Sequence, residues 1–252
     1  MKRTAILQSN YIPWKGYFDI INMVDEFIIF DEVQYTKNDW RNRNLIKTKQ
    51  GVQWLTIPVR QDRLAQKICE TKVVNEQWNK KHWTAIKTNY GKAKYFNFYK
   101  PFFEELYLSC TTRYLSEINL AFVVAISTML EIKTKISLST SFNLINGKTE
   151  RLVDLCKQSG ADEYISGPSA ISYIDQSSFE NAGIRIRFMD YSNYPEYQQL
   201  YPPFVHEVSI IDVLFNTGPD AKYFLISNLK ERKSDTVYGP LESESQKAQY
   251  LS

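Results

Sequence analysis

Thr4-Ala5-Ile6-Leu7-Gln8-Ser9-Asn10-Tyr11-Ile12-Pro13-Trp14-Lys15-Gly16-Tyr17-Phe18-Asp19-Ile20-Ile21-Asn22-Met23-Val24-Asp25-Glu26-Phe27-Ile28-Ile29-Phe30-Asp31 decides the fold. The apolar run Thr4–Leu7 opens directly into a polar loop, Gln8–Pro13, after which Trp14, Phe18, Ile20 and Ile21 recur at helical spacing as far as Met23. A second continuous apolar run, Phe27–Phe30, ends in Asp31. Strand, loop, helix and strand within about thirty residues make a βαβ unit with a parallel strand pair. In such sheets ligands bind beyond the carboxyl ends of the strands. The loops Gln8–Pro13 and Asp31–Tyr35 are therefore expected to face one crevice.

The rest of the chain extends this unit. Val52–Val59 alternates with period two and is predicted as a strand, with Pro58 at an edge or a strand end. Helical patterns at 76–90, 95–107 and 112–131 form a helical insertion over about 76–131. Ile136–Ser139 reads as a strand, and Lys148–Ser159 as an amphipathic helix stopped by Gly160. Tyr164–Ser166, a helix near Asp175–Ala182 and the strand Ile184–Asp190 repeat the opening logic. Pro195, Pro202 and Pro203 mark an irregular aromatic loop, and Val205–Asn216 reads as a helix closed by Gly218-Pro219. The expectation is one α/β domain over residues 1–252, with a mostly parallel Rossmann-like sheet and the helical insertion.

Composition removes several function classes. Among 252 residues there are 31 Lys and Arg against 28 Asp and Glu, a balance of +3. That is too small for a general nucleic-acid binder, which needs a dense row of phosphate-neutralising cations. Cys69, Cys110 and Cys156, with no CxxC pair and two distant His, form neither a disulfide framework nor a zinc site, and they suit a reducing cytoplasm. The start lacks a secretory apolar core, and the longest apolar stretch, Leu120–Leu130, is about half a membrane span. A cytoplasmic protein without a membrane span is expected. Seventeen Tyr, 14 Phe and five Trp must either fill the core or line a concave site, and those beside the polar loops, Tyr11, Trp14, Tyr35 and Trp40 among them, suit a site as well as a core.

Four polar clusters carry the functional signal. In the first, Gln8, Asn10, Tyr11, Lys15 and Gly16 surround a loop leading into a helix N-terminus, where free N–H groups and a point charge suit an anion such as phosphate. An equal reading makes Pro13 and Gly16 shape a turn while Trp14 and Tyr17 fill the core. The second, Asp31 to Lys47, holds three acids, four bases and three Asn without Gly or Pro, so it is read not as a core element but as a segment held by many hydrogen bonds or, alternatively, as a solvated surface turn. Gln34 and Tyr35 belong to it. Arg41 and Arg43 bring forks suited to phosphate, and Asn42 and Asn44 bring amides suited to sugar hydroxyls or a base edge. The third places Gly167 and Ser169 after a strand, a loose phosphate grip or a simple capped turn, with neither GxxxxGK[ST] nor GxGxxG present. The fourth sets Ser209, Asp212 and Asn216 at helical spacing behind His206. His206 is a candidate general base or, equally, a packing residue, whereas His82, beside Lys80 and Lys81, reads as solvated.

Taken in order, five motifs resemble the WbqC-like family, bacterial proteins associated with O-antigen, lipopolysaccharide and other surface-polysaccharide gene clusters. They are Gln8 to Phe18, Asp31 to Asn44 with its Arg41-Asn42-Arg43-Asn44 core, Gly147-Lys148-Thr149-Glu150-Arg151-Leu152, Ser166-Gly167-Pro168-Ser169-Ala170, and Phe204-Val205-His206 through Pro219. Many members read His-Gln-Pro where this chain has Leu7-Gln8-Ser9, which leaves Gln8 as the transferable residue. The resemblance implies transfer of an amino acid, glycine in the usual proposal, onto the amino group of a nucleotide-linked deoxyamino sugar. The opening is also similar to that of nucleotidylyltransferases and pantothenate synthetase, which implies ATP with Mg. Those enzymes read His-x-Gly-His where this chain has Trp14-Lys15-Gly16-Tyr17.

The expected function is an aminoacyltransferase of this kind. Gln8 and Asn10 would orient the substrate, Lys15, Arg41 and Arg43 would hold phosphates, Asp31 would bind the attacking amine and His206 would take its proton. Two other readings stand beside it: nucleotidyl transfer to a small phosphorylated substrate, and a non-catalytic nucleotide-sugar or glycan-binding partner.

Overall fold

Backbone alternation in two short strands explains how the chain folds around one sheet with two faces. The computed structural model describes residues 1–229. β1 (Arg3–Leu7), α1 (Lys15–Asn22) and β2 (Glu26–Ile29) form the expected βαβ unit, with β1 and β2 parallel and Ala5 paired with Phe27. The chain then leaves the sheet for two antiparallel ribbons and three helices. β3 (Arg43–Thr48) pairs with β4 (Gly51–Thr56), and β5 (Val59–Arg60) with β6 (Lys72–Val73); α2 (Trp78–Tyr90), α3 (Phe96–Leu108) and α4 (Leu115–Met129) follow. It returns as β7 (Lys135–Leu138) beside β2, crosses through α5 (Thr149–Ser159) to β8 (Glu163–Ser166) beside β1, and adds α6 (Gln176–Asn181) and β9 (Arg185–Phe188). The last helix is α7 (Ile210–Thr217).

The five-stranded sheet is parallel throughout, in the order β7-β2-β1-β8-β9. This is an α/β fold of the Rossmann-like kind. Because successive side chains on a strand point to opposite faces, Ala5, Phe27, Ile29 and Ile165 join a core with α1, α4 and α7, while Ile6, Ile28 and Tyr164 join a second core under α5 and α6. Both faces are covered, which is why the central strands β1 and β2 read as apolar runs, while the edge strands β7 and β9 alternate polar with apolar residues. At the opposite end of the strands, Glu26 receives Lys2 at 2.6 Å and Lys135 at 2.8 Å. Burial alone would raise its pKa, but hydrogen bonds from Lys135, Lys2 and Ser137 hold it down to about 2.

Three expectations are corrected here. Asp31–Lys47 does contain a core element: its last third enters β3, with Asn44, Ile46, Lys47 and Thr48 buried in a ribbon that two apolar residues were too few to signal. The strand foreseen over Val52–Val59 stops at Thr56, because Pro58 has no N–H for the ladder; its carbonyl instead accepts from the Val74 N–H, and the chain resumes as β5. The helix foreseen from Val205 starts at Ile210, with Ser209 as its cap. The backbone N–H groups of Ser209 and Ile210 are taken by Leu45 and Pro13 carbonyls, which holds the preceding turn out of helical geometry.

Two glycines test how this packing constrains the backbone. Gly160 (φ 69°) ends α5 and Gly218 (φ 65°) ends α7, but an added Cβ meets open space at Gly160 and the Tyr95 ring at 2.4 Å at Gly218. Gly160→Ala is expected to cost about 1 kcal/mol from left-handed strain alone. Gly218→Ala should cost clearly more. Urea denaturation of the two variants checks the ranking, and equal losses would refute it.

Candidate functional site at the carboxyl edge of the sheet

The strand order reverses between β1 and β8, and a crevice opens at such a switch point. A cavity of about 510 Å³ lies there. Gln8 leaves the end of β1, Phe30 follows β2, Ser166 and Gly167 end β8, and Lys148 and Thr149 begin α5. Its lining includes three cations, Arg41, Lys148 and Arg151, and no Asp or Glu. Free N–H groups in the first turn of α5 add to the positive character. Arg151 donates its Nε–H to the Ile145 carbonyl at 2.6 Å and lies over the Phe30 ring, so it is braced from behind. An apolar floor of Ile6, Tyr164 and Leu152 completes a concave polar-rimmed pocket.

A smaller recess of about 270 Å³ adjoins it through Asn10, which lines both. Pro13, Trp14, Trp40, Asn44 and Glu207 make up the rest of its lining. Arg41 donates to Asn10 Oδ1, so one residue pair stands at the junction.

The loop that carries Gln8 and Asn10 is fixed from beneath. Asp31 accepts the Ser9 N–H at 2.8 Å and the Ser9 hydroxyl at 2.6 Å, and Ser116 on α4 donates to the same carboxylate. Asn119 Nδ2 donates to Ser9 Oγ at 3.0 Å and to the Arg41 carbonyl at 2.8 Å. Asp31 thus positions the loop; with Glu32, Ser116 and Ser139 it lines a separate recess of about 210 Å³.

Gln8, Asn10, Arg41, Gly167 and Ser169 line the large cavity, and Asn10 and Asn44 the small one. Other expected site residues sit behind these surfaces. Tyr11 is fully buried, its hydroxyl 2.8 Å from both His82 Nδ1 and Tyr107 Oη. Gly16 lies against the Trp14 indole, which a Cβ would strike. Asn42 donates to the Ile57 carbonyl and Asn44 to the Tyr11 carbonyl, so their amides hold the ribbon to the loop. Arg43 stacks 4.2 Å over Trp54 and donates to the Asn38 carbonyl. Tyr35 is buried, and Gln34 is exposed with its backbone bridged to Lys67. Ser209 caps α7. Asp212, completely buried, accepts from Tyr90 at 2.9 Å, Tyr197 at 2.7 Å and Gln199 at 3.0 Å, and burial raises its pKa.

Lys15 is only 1% exposed, in a cage of Tyr194, Tyr197 and Phe204 rings 4.9–5.6 Å away. Its Nζ is 3.0 Å from His206 Nδ1. Burial pulls Lys15 down to about 8, against the opposing pull of Asp212, Glu207 and Glu196. Burial and then the Lys15 charge lower His206 in turn. While Lys15 is charged it can only donate, so a neutral His206 keeps its own proton on Nε2. Once Lys15 is neutral, its nitrogen can accept from Nδ1–H and leave Nε2 free as a base.

Sequence reading missed Lys148, Thr149 and Arg151 as lining groups. The available signal was Gly147-Lys148-Thr149 at a helix start, the closing half of a phosphate-loop pattern without its first glycine. It also placed His82 in solvent. That residue is buried, with Nε2 3.1 Å from the Thr56 carbonyl, and burial lowers its pKa to about 4.

A histidine kept neutral by burial costs the folded state as the unfolded chain begins to bind protons. Its contribution is complete above about pH 6.5 and is lost on acidification from there to about pH 4, a loss on the order of 3 kcal/mol. His82→Gln is expected to flatten the stability profile over that window. Equal slopes for native and variant protein in thermal melts would contradict the buried neutral ring.

The WbqC-like protein family model matches residues 8–223. The chain is 49% identical over 226 residues, 89% of its length and 98% of the relative's, to a protein named "Uncharacterized protein Rv1507c" from Mycobacterium tuberculosis (strain ATCC 25618 / H37Rv). No solved structure matches it. Among the described residues no helix is long and apolar enough to cross a membrane.

Proposed function

The chain belongs to the WbqC-like protein family, and on that premise we propose that it transfers an acyl group, an amino acid such as glycine, onto the amine of a nucleotide-linked amino sugar in surface-polysaccharide biosynthesis. The observation that supports this most is the 510 Å³ cavity at the strand-order switch, with three cations and no carboxylate in its wall. A nucleotide carries two or more negative phosphate charges and a flat base. Arg41, Lys148 and Arg151 suit the phosphates through charge-assisted hydrogen bonds, and the apolar floor suits the base. ATP fits the same donor set when it activates the acyl group. Magnesium accompanying ATP would be held by the phosphates and water, since the cavity lining carries no Asp or Glu.

In the transfer, the neutral amine attacks the acyl carbonyl, a C–N bond forms, the bond to the leaving group breaks and one amine proton departs. His206 takes that proton at Nε2 once Lys15 is neutral. His206 follows Phe204 and Val205 and precedes Glu207, which lines the small recess where the amine is to be held. Gln8 and Asn10 orient the substrate, while Asp31 keeps their loop in place through Ser9.

Incubating the purified protein with an amino-sugar nucleotide, glycine and ATP should add one glycyl mass to the sugar and release AMP or ADP; neither change would end this reading. Lys148→Ala, which sits on the exposed start of α5, should weaken nucleotide binding about tenfold by calorimetry, the equivalent of about 1.4 kcal/mol. The transfer rate should rise with pH through about 8 as Lys15 loses its proton. Lys15→Met should remove that rise, and an unchanged profile in the variant would dismiss the pair as the base.

A further inference from the structure

The small recess is shaped for one ring. Its 270 Å³ falls below the about 300–1,000 Å³ that encloses a drug-sized ligand, so it cannot take a whole nucleotide sugar. Two indoles, Trp14 and Trp40, and Pro13 give it apolar walls, and Asn10, Asn44 and Glu207 give it polar edges. Both indoles are braced. Trp14 meets Tyr191 edge-on at 5.0 Å and Tyr194 at 5.7 Å, while Trp40 leans on Trp54 at 5.3 Å, which Arg43 backs at 4.2 Å. Rigid aromatic walls suit the C–H faces of a sugar ring, and they attract an ammonium through their faces.

The polar edges divide by chemistry. Asn10 has its carbonyl oxygen engaged by Arg41, which leaves its Nδ2–H groups for a hydroxyl. Glu207 is exposed and accepts no hydrogen bond among the described residues. A carboxylate only accepts, so its partners are hydroxyls or an ammonium. Arg41 and Asn10 stand where the recess meets the cation-lined cavity. A chain of base, ribose, diphosphate and sugar could thread this arrangement in one direction only, because the recess is too small for the nucleotide. The base and phosphates would fill the large cavity, and the sugar would pass Asn10 into the recess.

We infer that the Trp14–Trp40 recess is the amino-sugar subsite, with the indoles stacking on the ring and Glu207 holding the ammonium group. The inference rests on the proposed function and specifies where its acceptor lies. Glu207 orients the charged amine before it is deprotonated, next to the residue that receives the proton.

The test compares three ligands by calorimetry: a nucleoside diphosphate, the same nucleotide carrying an amino sugar, and its N-acetyl counterpart. Trp40→Ala, at an exposed indole, should weaken both nucleotide sugars about tenfold and leave the nucleoside diphosphate unchanged. Glu207→Gln should weaken only the amino sugar, removing its preference over the N-acetyl form. Unchanged amino-sugar affinity in both variants, with the nucleoside diphosphate still bound, would overturn the subsite and spare the proposed function. An equal loss of nucleoside diphosphate affinity in Trp40→Ala would assign the recess to the base and overturn it too. Failure of the native protein to bind any of the three would overturn both.

Discussion

The Asp31 carboxylate, at the carboxyl end of β2, is the constraint on which the site depends. It takes the backbone N–H and the hydroxyl of Ser9, and the hydroxyl of Ser116, so the loop after β1, the end of β2 and the start of α4 meet at one buried group. Asn119 extends the network to the Arg41 carbonyl. Leaving such a carboxylate without donors would cost its full desolvation. The loop that offers Gln8 and Asn10 is therefore held as firmly as a core element, although it carries no regular structure. Pre-organisation of this kind is what a site needs if its amides are to aim at one substrate.

Two further buried carboxylates repeat the device around the edges of the site. Asp19 on α1 accepts from Tyr194, Ile226 and Ser227 and so ties the aromatic loop and the segment after α7 to the first helix. Asp212 accepts from Tyr90 on α2 and from Tyr197 and Gln199 in the aromatic loop. Asp19 takes one tyrosine hydroxyl and Asp212 two. The surplus of aromatic residues is explained by this second use as much as by the site: Trp14, Trp40 and Tyr173 line cavities, whereas Tyr194 and Tyr197 pack inward and donate to buried acids. The same rings cage Lys15, which connects the packing of the aromatic loop to the protonation of His206.

The sheet was legible because β1 and β2 are short apolar runs bounded by polar loops and the edge strands β7 and β9 alternate polar with apolar residues, patterns that local sequence carries. The helices of the insertion were legible from apolar residues recurring at helical spacing, the face each of them buries. β3 was not, since its stability comes from pairing with β4 and from burying Asn44 and Lys47 against partners remote in sequence. His82 misled because its neighbours Lys80 and Lys81 face solvent while its own side of α2 faces Tyr11.

From sequence alone came the parallel sheet, the crevice at its carboxyl edge, the Gln8–Pro13 loop that reaches it and the family resemblance, because these follow from periodicity and residue order; of Asp31–Tyr35, expected at the same crevice, only Val33 lines it, while Asp31 and Glu32 line a separate recess. Tertiary structure alone decided which polar groups point into the crevice. Arg41 and Arg43 are two residues apart, yet one meets Asn10 at the cavity and the other backs Trp54. Side-chain direction along that segment depends on where ribbon pairing begins and on which buried acid claims which donor. Both are settled by contacts between residues far apart in the chain.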